Sequence, residues 1–249
     1  MDTHSHVVSQ GHYYSKSLGR NQPFLCLTPP GDTVDLPFLL LLHGRDGHFD
    51  HWNKYTRLRK MLLGLPYLVV CPEGGNGWYT NSFDGKELWE DDLVQDLLPY
   101  LNEAFPISQD TKHRIFAGAS MGGFGAIKIA LRHYKLFGTA ISLAGGLAKP
   151  SQPGSHPIFG EYERDIAFRH RENLSYLAEQ ALCRFPSERP RLILDCGLED
   201  PLIESNQHFS DHLNFLGYAH DFTTRRGHHT WPYFERGLQA SLGKVFRII

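Results

Sequence analysis

Short apolar runs alternate along this chain with stretches whose apolar residues recur at helical spacing. Phe38 to Leu42 and Tyr67 to Cys71 are continuous apolar runs of a strand's length, the pattern of strands buried on both faces. Trp52 to Leu63 reads as a helix. Leu88, Leu93, Leu97, Leu98 and Leu101 form a helical stripe, with Glu90, Asp91, Asp92 and Gln95 on the remaining faces. Further strands are predicted at Ile115 to Ala117, Phe137 to Leu143, Leu192 to Leu194 and Ala219 to Thr224. Helices are predicted over Phe124 to Tyr134, about Leu202 to Leu216, and Tyr233 to Leu242. Val7 to Thr28, with a turn signal at Leu18-Gly19-Arg20-Asn21, reads as an antiparallel hairpin. Alternating strands and helices predict an α/β fold, a mostly parallel sheet covered on both faces. The alternation fails between Gly145 and Pro190. This stretch is rich in Pro, Gly, His and charge up to about Arg171, then helical from about Asn173 to Cys183. It is expected as a lid or cap insertion, around 145–190, over the sheet's C-terminal edge in a single domain spanning 1–249.

Composition narrows the function classes. The 249 residues carry a net charge near -2, which gives no electrostatic basis for binding nucleic acid or an anionic membrane. No apolar run is long enough to span a bilayer. The first residues, Met1 to His6, are polar and do not read as a secretory signal, so a cytoplasmic location is expected. The four cysteines lack close spacing. Those at 26, 71 and 196 lie in or beside strand-like runs, as small buried hydrophobes do. No cofactor is implied, and homo-oligomerisation is left open.

The chemistry centres on Gly118-Ala119-Ser120-Met121-Gly122, between a short strand and a helix. A sharp strand-to-helix turn tolerates only small residues beside its centre and pushes the central hydroxyl out at the sheet's tip. The Met121 N–H then lies near a helix N-terminus, where it can face a developing oxyanion. A serine hydroxyl needs a base, and the base needs an acid to hold its tautomer. Asp195 and Asp200 compete evenly for the acid, with Glu199 third; Asp200, followed by Pro201, also reads as a helix cap. Position reduces fifteen histidines to His228 and His229, in the loop before the last helix. The loop after Leu42, with Gly44 permitting close backbone approach, offers the Arg45 N–H as a second oxyanion donor. His43 is expected to hold that loop rather than to do chemistry.

Five segments in order resemble the esterase D-like family of α/β-hydrolase serine esterases: Leu41-Leu42-His43-Gly44, Asn76-Gly77-Trp78-Tyr79-Thr80-Asn81, Gly118 to Ala126, Asp195 to Asp200, and Gly227 to Tyr233. The resemblance covers nearly the whole chain and implies the α/β-hydrolase fold. It selects Asp200 and His229 as partners of Ser120. It also implies a small-molecule ester as substrate, hydrolysed through an acyl-enzyme. Trp78, Tyr79, His228 and Trp231 are the substrate-binding candidates, and Phe159 and Tyr162 are further aromatics for an acyl pocket. His228 replaces a glycine usual in the family, and Arg45 a residue usually small or apolar. Feruloyl or acetyl-xylan-type substrates, transfer of the acyl group to an alcohol, and a non-catalytic binding role on the same scaffold are the alternatives. Metal-dependent hydrolysis is weaker: Asp2-Thr3-His4-Ser5-His6 has no strand before it, and His43, Asp46, His48, Asp50 and His51 match no metal spacing.

Overall fold

The eight strands of one sheet run in the order β1-β2-β4-β3-β5-β6-β7-β8. The computed structural model describes residues 5–31, 34–184 and 188–246. Strands β1 (Val7–Ser15) and β2 (Arg20–Thr28) are the expected hairpin, with antiparallel pairing from Val7 opposite Thr28 to Ser15 opposite Arg20. β2 continues antiparallel onto β4 (Leu68–Pro72). From there to the far edge every pair is parallel: β4 with β3 (Phe38–Leu42), then β5 (Arg114–Ala119), β6 (Thr139–Leu143), β7 (Arg191–Gly197) and β8 (His220–Arg225).

The unbroken apolar runs occupy the middle of this sheet because both of their faces are covered. In β3, Phe38, Leu40 and Leu42 join the core on one face, and Leu39 and Leu41 join the core on the other. Helix α5 (Met121–Arg132) packs into the first core. Helices α1 (His51–Tyr55), α2 (Leu58–Met61) and α9 (Trp231–Phe246) contribute to the second.

Two expectations need correction. The single helix over Trp52 to Leu63 is two short helices, broken where Thr56 turns extended (φ -132°, ψ 169°) and Glu235 takes the Arg57 backbone N–H and guanidinium. The Leu88 stripe is helical but not regular: α3 (Trp89–Asp91) runs through a π-helical turn, Asp92–Leu97, into α4 (Leu98–Ala104). Leu98 N–H donates to the Leu93 carbonyl, five residues back. Pro99 follows immediately and has no N–H to offer, so the widened turn accommodates it. Glu90 and Asp92, on the other faces of this helix, are buried, Glu90 against Lys128 and Arg132 and Asp92 against Tyr13.

The insertion lies between β6 and β7. It carries two 3-10 turns, Lys149–Ser151 and Pro157–Phe159, then α6 (Ile166–Arg171) and α7 (Leu174–Arg184). Helix α8 (Ile203–Phe215) joins β7 to β8. No helix among the described residues is long and apolar enough to cross a membrane.

Candidate active site

Ser120 sits between the last residue of β5 and the first of α5, with φ 57° and ψ -115°. A non-glycine residue there is strained, and the turn's close packing holds it. A Cβ on Gly118 would lie 2.4 Å from the Gly122 carbonyl group, and one on Gly122 2.6 Å from the Leu42 carbonyl oxygen. Strand β5, helix α5 and the end of β3 thus meet at backbone distance, which only glycine permits. The Ser120 N–H donates to the Leu143 carbonyl at 2.9 Å, and the Ser120 carbonyl accepts from Gly146 N–H at 3.1 Å.

The Asp200 carboxylate, 2% exposed, accepts at Oδ2 from His229 Nδ1, 2.7 Å away. Its Oδ1 accepts from the Leu202 N–H at 2.9 Å. With Nδ1–H donating to Asp200, the lone pair of His229 is left on Nε2. The loop bearing His229 leaves β8 at the sheet's edge and crosses toward β3. Trp231 packs edge-on against Trp52, with centroids 5.2 Å apart, and the Trp52 indole donates to the Leu42 carbonyl at 2.8 Å. That places the end of the histidine loop beside the β3 terminus, where Gly44 packs against Ser120.

Asp195, the competing acid, is buried and used otherwise. It accepts from Tyr233 Oη at 2.7 Å and from the Arg225 guanidinium. Burial raises its carboxyl, against the pull of Tyr233 and Arg225. Glu199 accepts from Gly227 N–H, which holds the same loop. Cys196, between these carboxylates, has its thiol pushed up to about 12, chiefly by burial. It is an inert packing group.

On the opposite wall, Gly47 N–H donates to the Gly44 carbonyl at 3.0 Å and Asp46 N–H to Asn76 Oδ1 at 2.7 Å, which fixes the loop on both sides of Arg45. The Arg45 side chain is exposed and lies 3.3 Å from Asp46. Glu73 accepts from the N–H groups of Phe49, Gly74 and Gly75 and so ties the loop after β4 to the loop after β3.

The matching family description is "Putative esterase", over residues 15–245. The chain belongs to that family. An acetyl esterase from Caldicellulosiruptor saccharolyticus is 23% identical over 254 aligned positions, which span 92% of this chain and 94% of the relative. Among solved structures, the fluorophosphonate-binding serine hydrolase F of Staphylococcus aureus, with substrate bound, superposes with a TM-score of 0.85 at 22% identity, covering 96% of this chain and 98% of its own. A ferulic acid esterase superposes with a TM-score of 0.83 at 24% identity, covering 98% of each chain. The fold is the α/β-hydrolase fold, and the protein is a carboxylic ester hydrolase.

Within this esterase-family site, several aromatics do something other than line a pocket. Tyr79 is wholly buried and donates from Oη to the His43 carbonyl at 3.0 Å, so it has no surface to offer a substrate. Trp78, 4% exposed, packs on Phe124 and on Phe159, which is itself fully buried. Tyr162 is exposed on the insertion, with Arg169 over its ring. Trp231 joins Trp52, His51, Tyr55 and Phe234 in an aromatic cluster, while His228 is exposed. A cavity of about 330 Å³ opens between the insertion and α8, bounded by Leu147, Ala148, Asn173, Pro201, Leu202 and His208. Of the metal motif at the N-terminus, residues 1–4 lie outside the described residues.

The sequence reading missed Glu73, Lys128 and Asn206. Lys128 is fully buried on α5, bonded to Thr80 and paired with Glu90 and Glu172. A lysine inside Ile127-Lys128-Ile129-Ala130 is a legible sign of a buried partner. Asn206 donates to the Gly145 carbonyl at 2.8 Å, and nothing local in the sequence marks it.

Proposed function

We propose that the protein hydrolyses short-chain acyl or aromatic-acid esters by a Ser120–His229–Asp200 triad. His229 Nε2 takes the proton as Ser120 Oγ attacks the ester carbon. The C–O bond to the alcohol then breaks, and the same proton passes to the departing oxygen. Water attacks the acyl-enzyme by the reverse roles, releasing the acid and restoring Ser120. The Met121 and Arg45 N–H groups receive the oxyanion. One observation carries the reading: a histidine oriented by a buried aspartate, on a loop whose Trp231 packs on the Trp52 that is bonded to the end of β3. The names of the acetyl and ferulic acid esterases support the two acyl classes.

The test is turnover of butyrate and hydroxycinnamate esters, together with labelling by a fluorophosphonate probe. Wild-type protein is expected to turn over at least one ester and to take the probe on Ser120. Ser120→Ala is expected to lose both, with turnover down about 10⁴-fold or more. A Ser120→Ala variant with wild-type ester turnover would refute the assignment. An unlabelled, inactive wild type would favour a binding role.

A further inference from the structure

His43 is 1% exposed, and both of its ring nitrogens are committed. Nε2 accepts from the Gly74 N–H at 2.9 Å. That N–H is shared with Glu73 Oε1 at 3.2 Å, which itself lies 3.4 Å from Nε2. A carbonyl oxygen can only accept, so the contact of Nδ1 with one requires a proton on Nδ1. Nδ1 lies 2.8 Å from the Gly44 carbonyl oxygen and donates to it. The Gly47 N–H is a second donor to that oxygen, at 3.0 Å. The Gly44 carbonyl and the Arg45 N–H belong to one planar trans peptide, so gripping one end sets the direction of the other.

We propose that His43 is a positioning residue for the oxyanion site: its Nδ1–H holds the Gly44 carbonyl and thereby aims the Arg45 N–H at the reacting carbonyl oxygen. The inference rests on the reading of Arg45 N–H as an oxyanion donor. Two further features support this peptide and the one before it. A Cβ at position 47 would lie 2.6 Å from the Gly44 oxygen and 2.7 Å from His43 Nδ1, so glycine there leaves room for this hydrogen bond. Tyr79 Oη holds the preceding carbonyl, that of His43. A carbonyl that accepts two hydrogen bonds also polarises its amide, which makes the N–H a stronger donor. The benefit appears where negative charge develops, in kcat rather than in ground-state binding.

Three variants separate the two ends of the ring. His43→Ala removes both. His43→Asn keeps a donor near the Nδ1 position, and His43→Gln keeps an acceptor near Nε2 without that donor. The readouts are kcat and KM on one ester, Ki for a trifluoromethyl ketone, and the melting temperature. The ketone adds Ser120 Oγ at its carbonyl carbon, the serine proton goes to His229, and the former carbonyl oxygen becomes the oxyanion. His43→Ala is expected to lower kcat and raise Ki by about 10–100-fold, with KM within about threefold. His43→Asn is expected to recover part of both losses and to exceed His43→Gln. A folded His43→Ala with wild-type kcat and Ki overturns the proposal. If that variant does not fold, a His43→Gln equal to or better than His43→Asn overturns it. Failure of the ketone to bind wild-type protein at Ser120 overturns the reading of the site itself, and this inference with it.

Discussion

Asp200 gives each carboxylate oxygen a different partner, and it is not the expected helix cap: α8 begins at Ile203 with Leu202 at its N-cap, and Pro201 lies in the turn before it. Oδ1 holds the turn through Leu202 N–H, and Oδ2 holds His229. Asp200→Asn can keep the first contact but presents an amide N–H to Nδ1, which drives the imidazole proton onto Nε2. Expected are a fall in kcat of about 10³–10⁴-fold and a melting temperature within a few degrees of wild type. Asp195→Asn should do the reverse. It leaves the Arg225 guanidinium without its carboxylate, at about 2 kcal/mol or more in urea unfolding, and spares kcat. The opposite pattern in the two variants would exchange their roles. Local sequence left these two acids tied, because both sit at the end of the same strand. Which of them meets His229 depends on how the loop after β8 is carried over the sheet.

At the scale of elements, the π-helical turn begins with an acid whose partner the stripe pattern could not name. Its first residue, Asp92, is buried and accepts from Tyr13 Oη at 2.8 Å, while its other oxygen has no hydrogen-bond partner. Burial, with repulsion from Asp96, pushes its carboxyl up to about 6 against the hydrogen bonds from Ser15 and Tyr13. The folded state therefore holds this proton more tightly than the unfolded chain, whose aspartates titrate near 4. Stability from this group is gained as pH falls from about 6.5 to about 4, and is lost as pH rises through 6. The full swing is on the order of 2–3 kcal/mol. Asp92→Asn should flatten the urea midpoint across that window; an unchanged pH slope would argue against it. Periodicity located the helix because its leucines repeat correctly. It left the polar residues only on the remaining faces, and which of these meets β1 depends on where the tertiary structure sets Tyr13 against Asp92.

The whole molecule is a mostly parallel sheet, and the segment between β6 and β7 is fastened to the loop after β4 and to α5. Phe83 N–H donates to the Ile158 carbonyl, and Lys128 and Arg132 pair with Glu172. Within the insertion, Arg169 is the organiser. It is 5% exposed and donates to the carbonyls of Phe159, Gly160 and Gln152 and to the Ser155 hydroxyl. Arg169→Met should loosen residues 149–171 while leaving the sheet intact, seen as faster amide exchange confined to that segment. Equal acceleration in β3 and β5 would show instead that the insertion and sheet unfold as one unit.

What this chain settles locally is the alternation of strands and helices, the elbow around Ser120, and the short list of acids and bases. Each depends on spacing, glycine size or burial pattern within a dozen residues. The pairing of Asp200 with His229, the burial of Tyr79, the choice of Glu90 and Glu172 as partners of Lys128, and the hydrogen bonds of the His43 ring were decided by tertiary structure. Each of these needs two segments far apart in sequence to meet at hydrogen-bond distance, and residue spacing alone carries no information about that distance.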